Sequence, residues 1–151
     1  MKLEIKESTF FPIDSNHCIR IEQTCNQGDG SYDELVDFVK KHGNELQKYE
    51  AVIVSPHQHV PCKVLLAYLH SIDADALGKR RSKYIEFEIM MRIYGETQIL
   101  KLIKKLKEEA KQTQLACLYL ISMVPCEKEI QTRCKPDSHM KIIETHLELI
   151  T

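Results

Sequence analysis

The stretch YIEFEIMMRIYGETQILKLIKKL, residues 84–106, decides the reading of this chain. Ile85, Ile89 and Ile93 recur at helical spacing, and Phe87, Met90, Met91 and Tyr94 widen the apolar surface. A helix with so little polar face is expected to be buried on more than one side. Gly95 ends it, because glycine adopts the left-handed turn that closes helices at no steric cost. A second helix starts at Glu96 or Thr97. In it Ile99, Leu102, Ile103 and Leu106 form an apolar stripe, and Lys101, Lys104, Lys105 and Lys107 take the other face. Arg92 and Gln98 flank the break. Long polar side chains there either cap the last carbonyls of the first helix or face a ligand.

Immediately upstream lies the densest positive cluster of the chain, Lys79, Arg80, Arg81 and Lys83, with Ser82 placed as an N-cap. Positive charge at a helix N-terminus opposes the macrodipole. The cluster is either a solvated loop or a phosphate-binding one. Further upstream, Ala51, Val52, Ile53 and Val54 read as a short buried strand bounded by Ser55 and Pro56. His57 and His59 mark a strand-to-helix corner, and Pro61 suits the first turn of the helix that follows. Val64, Leu65, Tyr68 and Leu69 give that helix its apolar face, with Lys63 one turn in. Residues 73–78 read as a polar connection.

Nearer the N-terminus, residues 3–7 and 18–22 alternate as strands and are expected to pair through a turn at residues 12–16. Gly28 and Gly30 reverse the chain without forming a phosphate cradle. Ser31 and Glu34 have capping-box spacing ahead of Leu35, Val36 and Val39, and Gly43 ends or bends that helix. Downstream, residues 116–121 are a second buried strand and residues 127–134 a short helix. In the tail, Ile143, Thr145, Leu147 and Leu149 alternate as a strand, although Ile142, His146 and Leu149 also fit a helix. The whole predicts one domain over residues 1–151 of α/β layered, α+β type. Its mixed or antiparallel sheet packs with a central helical block, and the strands near Ala51 and Leu118 occupy the middle.

With 151 residues, 43% hydrophobic and 28% charged, the chain has the composition of one globular core. A net charge of −1 gives no global bias toward polyanions, so such binding requires a local patch. The absence of a long apolar run or a signal-like N-terminus predicts a cytoplasmic protein with reduced thiols. Cys18, Cys25, Cys62, Cys117, Cys126 and Cys134 form no CxxC pair, and the seven histidines are scattered, so no metal site is expected. Cys62 and Cys117 fall in apolar elements as small core residues. No nucleophile, phosphate-loop or zinc-hydrolase motif is present, which turns the expectation toward binding or assembly.

Glu88, Ile89, Met90, Met91 and Arg92, followed by Gly95, Gln98 and Ile99, resemble the central signature of the small accessory subunit of the KEOPS complex. That family includes the vertebrate PRPK-binding protein and its archaeal and fungal relatives. The resemblance spans residues 51–118 and includes the His59-Val60 corner and an alanine in the helix after it, here Ala67. It departs from the family in a longer, more basic linker at residues 71–83. The chain also ends at Thr151, where many relatives continue into a helix.

The resemblance implies a non-catalytic subunit with no cofactor, no small-molecule substrate and no membrane association. Its partners would be the small atypical protein kinase of KEOPS and tRNA, including the single-stranded 3′ CCA end. The complex makes threonylcarbamoyladenosine on tRNA, with the chemistry in another subunit. On this reading Lys79, Arg80, Arg81 and Lys83 neutralise phosphates, while His57, His59, Lys63, Arg92 and Gln98 offer stacking and base-edge hydrogen bonds. That grouping requires the His-Val corner and the Gly95 break to share one side of the fold. The surplus apolar surface of the helix before Gly95 would serve the kinase. Two other readings compete: a small cytosolic enzyme with a Cys/His site, and a self-associating scaffold domain.

Overall fold

The computed structural model describes residues 7–78 and 84–126. The element order is β1 (Glu7–Pro12), β2 (His17–Gln27), α1 (Ser31–Lys41), α2 (Gly43–Leu46), β3 (Ala51–Ser55), α3 (Pro61–Ala76), α4 (Ile85–Tyr94), α5 (Ile99–Thr113) and β4 (Leu115–Pro125). The four strands form one sheet in the order β1-β2-β4-β3, and every pairing is antiparallel. The fold is therefore α+β. By internal contacts the chain divides into two compact units. Of the described residues, the first unit holds 7–58 and 106–126, and the second holds 59–78 and 84–105.

The sheet belongs to the first unit. Its longest pairing runs from His17 opposite Pro125 to Gln27 opposite Leu115. Leu118 and Leu120 of β4 pack with Leu35, Leu46 and Ala116, and Val52 and Val54 join them from β3. On the opposite face, Ile19, Ile21, Ile53, Tyr119 and Ile121 are equally buried. A strand buried on both faces reads as a continuous apolar run instead of an alternation, and β4 has that pattern. The expected central position of the Ala51 strand is corrected. β2 and β4 are the inner strands, and β3 is an edge among the described residues. β2 is central despite its polar residues because Glu22, Gln23 and Thr24 are themselves buried in the sheet.

Strand β1 pairs antiparallel with β2, from Glu7 opposite Gln23 to Pro12 opposite Cys18, and residues 3–6 of the expected strand lie outside the described residues. Asp14 holds the turn between the two strands by accepting the backbone N–H groups of Asn16 and His17, both at 2.8 Å. Those two donors, with His17's ring, keep the carboxyl below the usual carboxylate range. The capping box is not formed. Ser31 is already helical, and Gly30 precedes it at φ 72° with no side-chain cap. The reversal is made by Gly28 and Gly30, both at positive φ.

In the second unit α3 and α4 pack together. The expected polar connection over residues 73–78 is corrected to helix as far as Ala76. Small residues carry its buried stripe onward: Ala67, Ser71 and Ala74 are inaccessible, and the Ser71 hydroxyl donates to the Ala67 carbonyl at 2.7 Å. Helix α4 buries every residue from Glu88 to Ile93, in line with its apolar sequence.

Gly95 closes α4 at φ 68°. The N–H of Glu96 donates to the Met91 carbonyl at 2.8 Å and that of Gly95 to Arg92 at 3.4 Å. This is the Schellman arrangement, in which backbone donors satisfy the last carbonyls. A Cβ on Gly95 would meet nothing within 4 Å, so only backbone strain opposes a side chain there. Gly95→Ala is expected to cost about 1 kcal/mol, with Gly95→Asn costing less. Thermal unfolding of both variants checks this, and equal stability of alanine and glycine would count against it.

The expectation of reduced thiols is overturned. Cys18 is bonded to Cys126 and Cys25 to Cys117, Cys62 is also disulfide-bonded, and no described cysteine is free. The paired cysteines lie far apart in sequence, so their spacing carries no trace of the bond. Cys25 and Cys117 are direct partners across the β2 and β4 ladder. The readings placed on residues 127–134 and on the tail lie outside the described residues.

Candidate nucleic-acid interface

The geometry of interest centres on the Gly95 break, within the second unit. Val60 is the N-cap of α3, which seats His59 just before the helix. Its ring meets Tyr94 edge to face, with centroids 5.6 Å apart. The Lys105 ammonium lies 5.8 Å from the centre of the same Tyr94 ring and 3.9 Å from a Glu96 carboxylate oxygen. The His-Val corner and the helix break therefore stand side by side. Gln98 is exposed at the start of α5, where its carbonyl accepts the Leu102 N–H.

The predicted site residues separate. His59 is 9% exposed, so it orients Tyr94 and offers little ring surface of its own. Lys63 is half-buried in the first turn of α3. His57 belongs to the first unit, where its Nε2 stands 3.3 Å from Glu109 of α5. The Thr113 hydroxyl donates to the Pro56 carbonyl at 2.9 Å beside it. Lys79, Arg80, Arg81 and Lys83 lie outside the described residues.

Arg92 is the main correction to that set. It is 2% exposed and Glu88 is inaccessible. The Arg92 guanidinium donates through Nη1 to the Glu88 carboxylate and, at 3.2 Å, to the Glu88 carbonyl. The four-residue spacing places both groups on one helix face, and that face is internal. Arg92 therefore neither meets solvent nor caps the helix. Tyr94 and Lys105, which reading by residue type left as an apolar and a solvated residue, are the side chains gathered at the break. Tyr94 had a positional signal, since it directly precedes Gly95, whereas Lys105 lies inside α5 and reaches Tyr94 only through the fold.

The first unit also contains a cleft of about 360 Å³ lined by Tyr32, Asp33, Lys107, Lys111 and Gln114 among others. Desolvation raises the pKa of the Tyr32 phenol, and Asp33 adds to the rise. Gln114 there has φ 51°, and its amide donates to Asp29 at 2.8 Å.

Among the described residues no group of three or more His, Cys, Asp or Glu side chains is placed to hold a metal. Among the same residues no helix is long and apolar enough to cross a membrane. No family model and no curated protein matches the chain.

Proposed function

We propose that the chain is a non-catalytic accessory subunit of the KEOPS tRNA-modifying assembly, working in the cytoplasm. Its two partners are the small atypical protein kinase and the 3′ CCA end of tRNA. The observation that carries this reading is the seating of His59 against Tyr94 beside Gly95. The residues that resemble the family signature and those of its His-Val corner converge there. An aromatic ring, a nearby ammonium and an exposed amide supply what single-stranded RNA recognition needs: a stacking surface, charge for phosphate and a base-edge donor and acceptor.

The rest of the molecule is compatible with this role. With every described cysteine in a disulfide, the competing thiol enzyme has no nucleophile among the described residues. Disulfides are rare in cytosolic proteins, so the bridges bear against the cytoplasmic part of this reading and not against its RNA-facing residues. The apolar content of α4 is internal, leaving Val60, Ile72, Leu77, Tyr84 and Leu100 as the exposed apolar anchors of the second unit for the kinase.

Tyr94→Ala tests the site. Loss of one stacked base costs about 1–3 kcal/mol, so the variant should bind intact tRNA roughly 5- to 150-fold more weakly while its weaker binding to tRNA lacking CCA is unchanged. Thermal unfolding confirms that the variant is folded at the assay temperature. Retained discrimination in a folded variant removes Tyr94 from the interface.

A further inference from the structure

The bridge between Cys25 and Cys117 is unevenly exposed. The two residues face each other directly across the β2 and β4 ladder. Cys117 is inaccessible. Cys25 is half-buried and lines a cleft of about 590 Å³, with Asn26, Gln27, Glu34 and Gln58 among its other walls. All of these residues belong to the first unit. A thiol in solution therefore approaches the bridge at Cys25, through a polar cleft, and has no path to Cys117.

A second feature points to the open bridge. The Gln23 side chain is buried and donates through Nε2 to the Cys25 sulfur at 3.8 Å. Its Oε1 is buried with no hydrogen-bond partner. A buried acceptor without a donor costs free energy, and a redox role is one of the explanations such groups have in native structures. A disulfide sulfur has no proton to give that oxygen. A Cys25 thiol has one, and the Gln23 amide turned about its terminal bond accepts it. The two bridges also sit at opposite ends of one ladder, with Cys18–Cys126 spanning 108 residues and Cys25–Cys117 spanning 92 within it. Opening the inner one leaves β2 and β4 tied at the other end.

We propose that Cys25–Cys117 is a thiol–disulfide exchange site entered from the cleft at Cys25. It does not depend on the RNA reading above. A thiolate of the reducing partner attacks the Cys25 sulfur, so that a partner–Cys25 disulfide forms and the Cys25–Cys117 bond breaks. Cys117 leaves as a thiolate and takes up a proton. A second partner thiolate then attacks the partner's own sulfur in the mixed disulfide. The partner's disulfide forms, and Cys25 is released as a thiolate, takes up a proton and donates it to Gln23. Two electrons pass from two partner thiols to the bridge, and Gln23 acts as a positioning residue.

The test incubates the folded full-length protein with reduced and oxidised glutathione, traps thiols and mixed disulfides by acid quench and alkylation, and locates them by peptide mass. A parallel arm uses a Cys-x-x-Cys dithiol protein as the reductant. The expected result is opening of Cys25–Cys117 without denaturant and ahead of Cys18–Cys126, with the trapped adduct on Cys25. Opening by glutathione identifies a small thiol as a sufficient partner, and opening by the dithiol protein alone identifies a protein reductant. Cys117→Ala, which frees Cys25, should react with oxidised glutathione about 10-fold or more faster than Cys25→Ala, which frees Cys117, because access limits exchange. Gln23→Leu should shift the equilibrium toward the closed bridge by roughly 2- to 10-fold, the factor for one hydrogen bond. The native protein carries the test alone where a variant fails to fold. A bridge that opens only in denaturant overturns the proposal, as does an adduct on Cys117 or prior opening of Cys18–Cys126. An unmoved equilibrium in Gln23→Leu overturns the role given to Gln23.

Discussion

Arg92→Ala is expected to destabilise the folded protein by about 3–5 kcal/mol, the usual cost of stripping one partner from a buried ion pair. In a domain of this size that lowers Tm by roughly 6–20 °C. The Glu88 carboxylate is inaccessible and accepts from the Arg92 Nη1, so removing the guanidinium leaves a negative charge without its cation in the interior. Two further guanidinium nitrogens, Nε and Nη2, have no hydrogen-bond partner among the described residues. Replacing both charges should be milder than removing one, because no charge is then left buried without its counter-charge. The double variant Glu88→Gln, Arg92→Met keeps volume and deletes both charges, and it should recover most of the loss. Thermal and denaturant unfolding of the single and double variants decide the matter. A loss below about 1 kcal/mol for Arg92→Ala would mean that the side chain reaches solvent and returns it to the RNA-facing set.

Reduction of the disulfides should have an effect of similar size. The Cys18–Cys126 bridge closes a separation of 108 residues, and Cys25–Cys117 one of 92 within it. A loop of about 100 residues contributes roughly 4.7 kcal/mol in the chain-entropy model. Once the outer bridge is closed, the inner one restricts only the difference, about 16 residues, which contributes about 3 kcal/mol. Measured disulfide contributions often fall below the chain-entropy value, so a combined loss of about 5–7 kcal/mol is expected, or roughly 10–25 °C in Tm. Total stabilities are typically about 5–15 kcal/mol, so the reduced chain would be marginal at moderate temperature. Unfolding in phosphine reductant, with thiols counted by alkylation, measures this. Full reduction with a Tm change under about 3 °C would show that the bridges do not hold the fold.

The helical half of the fold was legible where one strong rule acted locally. The Gly95 stop, the Pro61 start and the stripes of α4 and α5 each follow from a few adjacent residues. What sequence did not show depends on distant partners. The disulfides join residues 92 and 108 apart, and β2 sits inside the sheet through pairings that composition does not report. The end of α3, residues 73–76, was missed because the buried stripe there continues through Ser71 and Ala74, whose small side chains carry a weak hydrophobic signal. For the candidate site, residue type misled at Arg92. Arginine is usually exposed, but a glutamate four residues earlier on an apolar helix turned it inward. Conversely, Tyr94 read as core, although the turn that follows it brings its ring to the surface.

The most direct test of the central claim is binding of the full-length protein to intact tRNA and to the same tRNA trimmed of its CCA end, at one fixed moderate salt concentration. The account predicts clear loss of affinity on trimming, about 5-fold or more, as expected when at least one stacked base is removed. Equal affinity for the two RNAs would contradict it and reduce the interaction to charge alone.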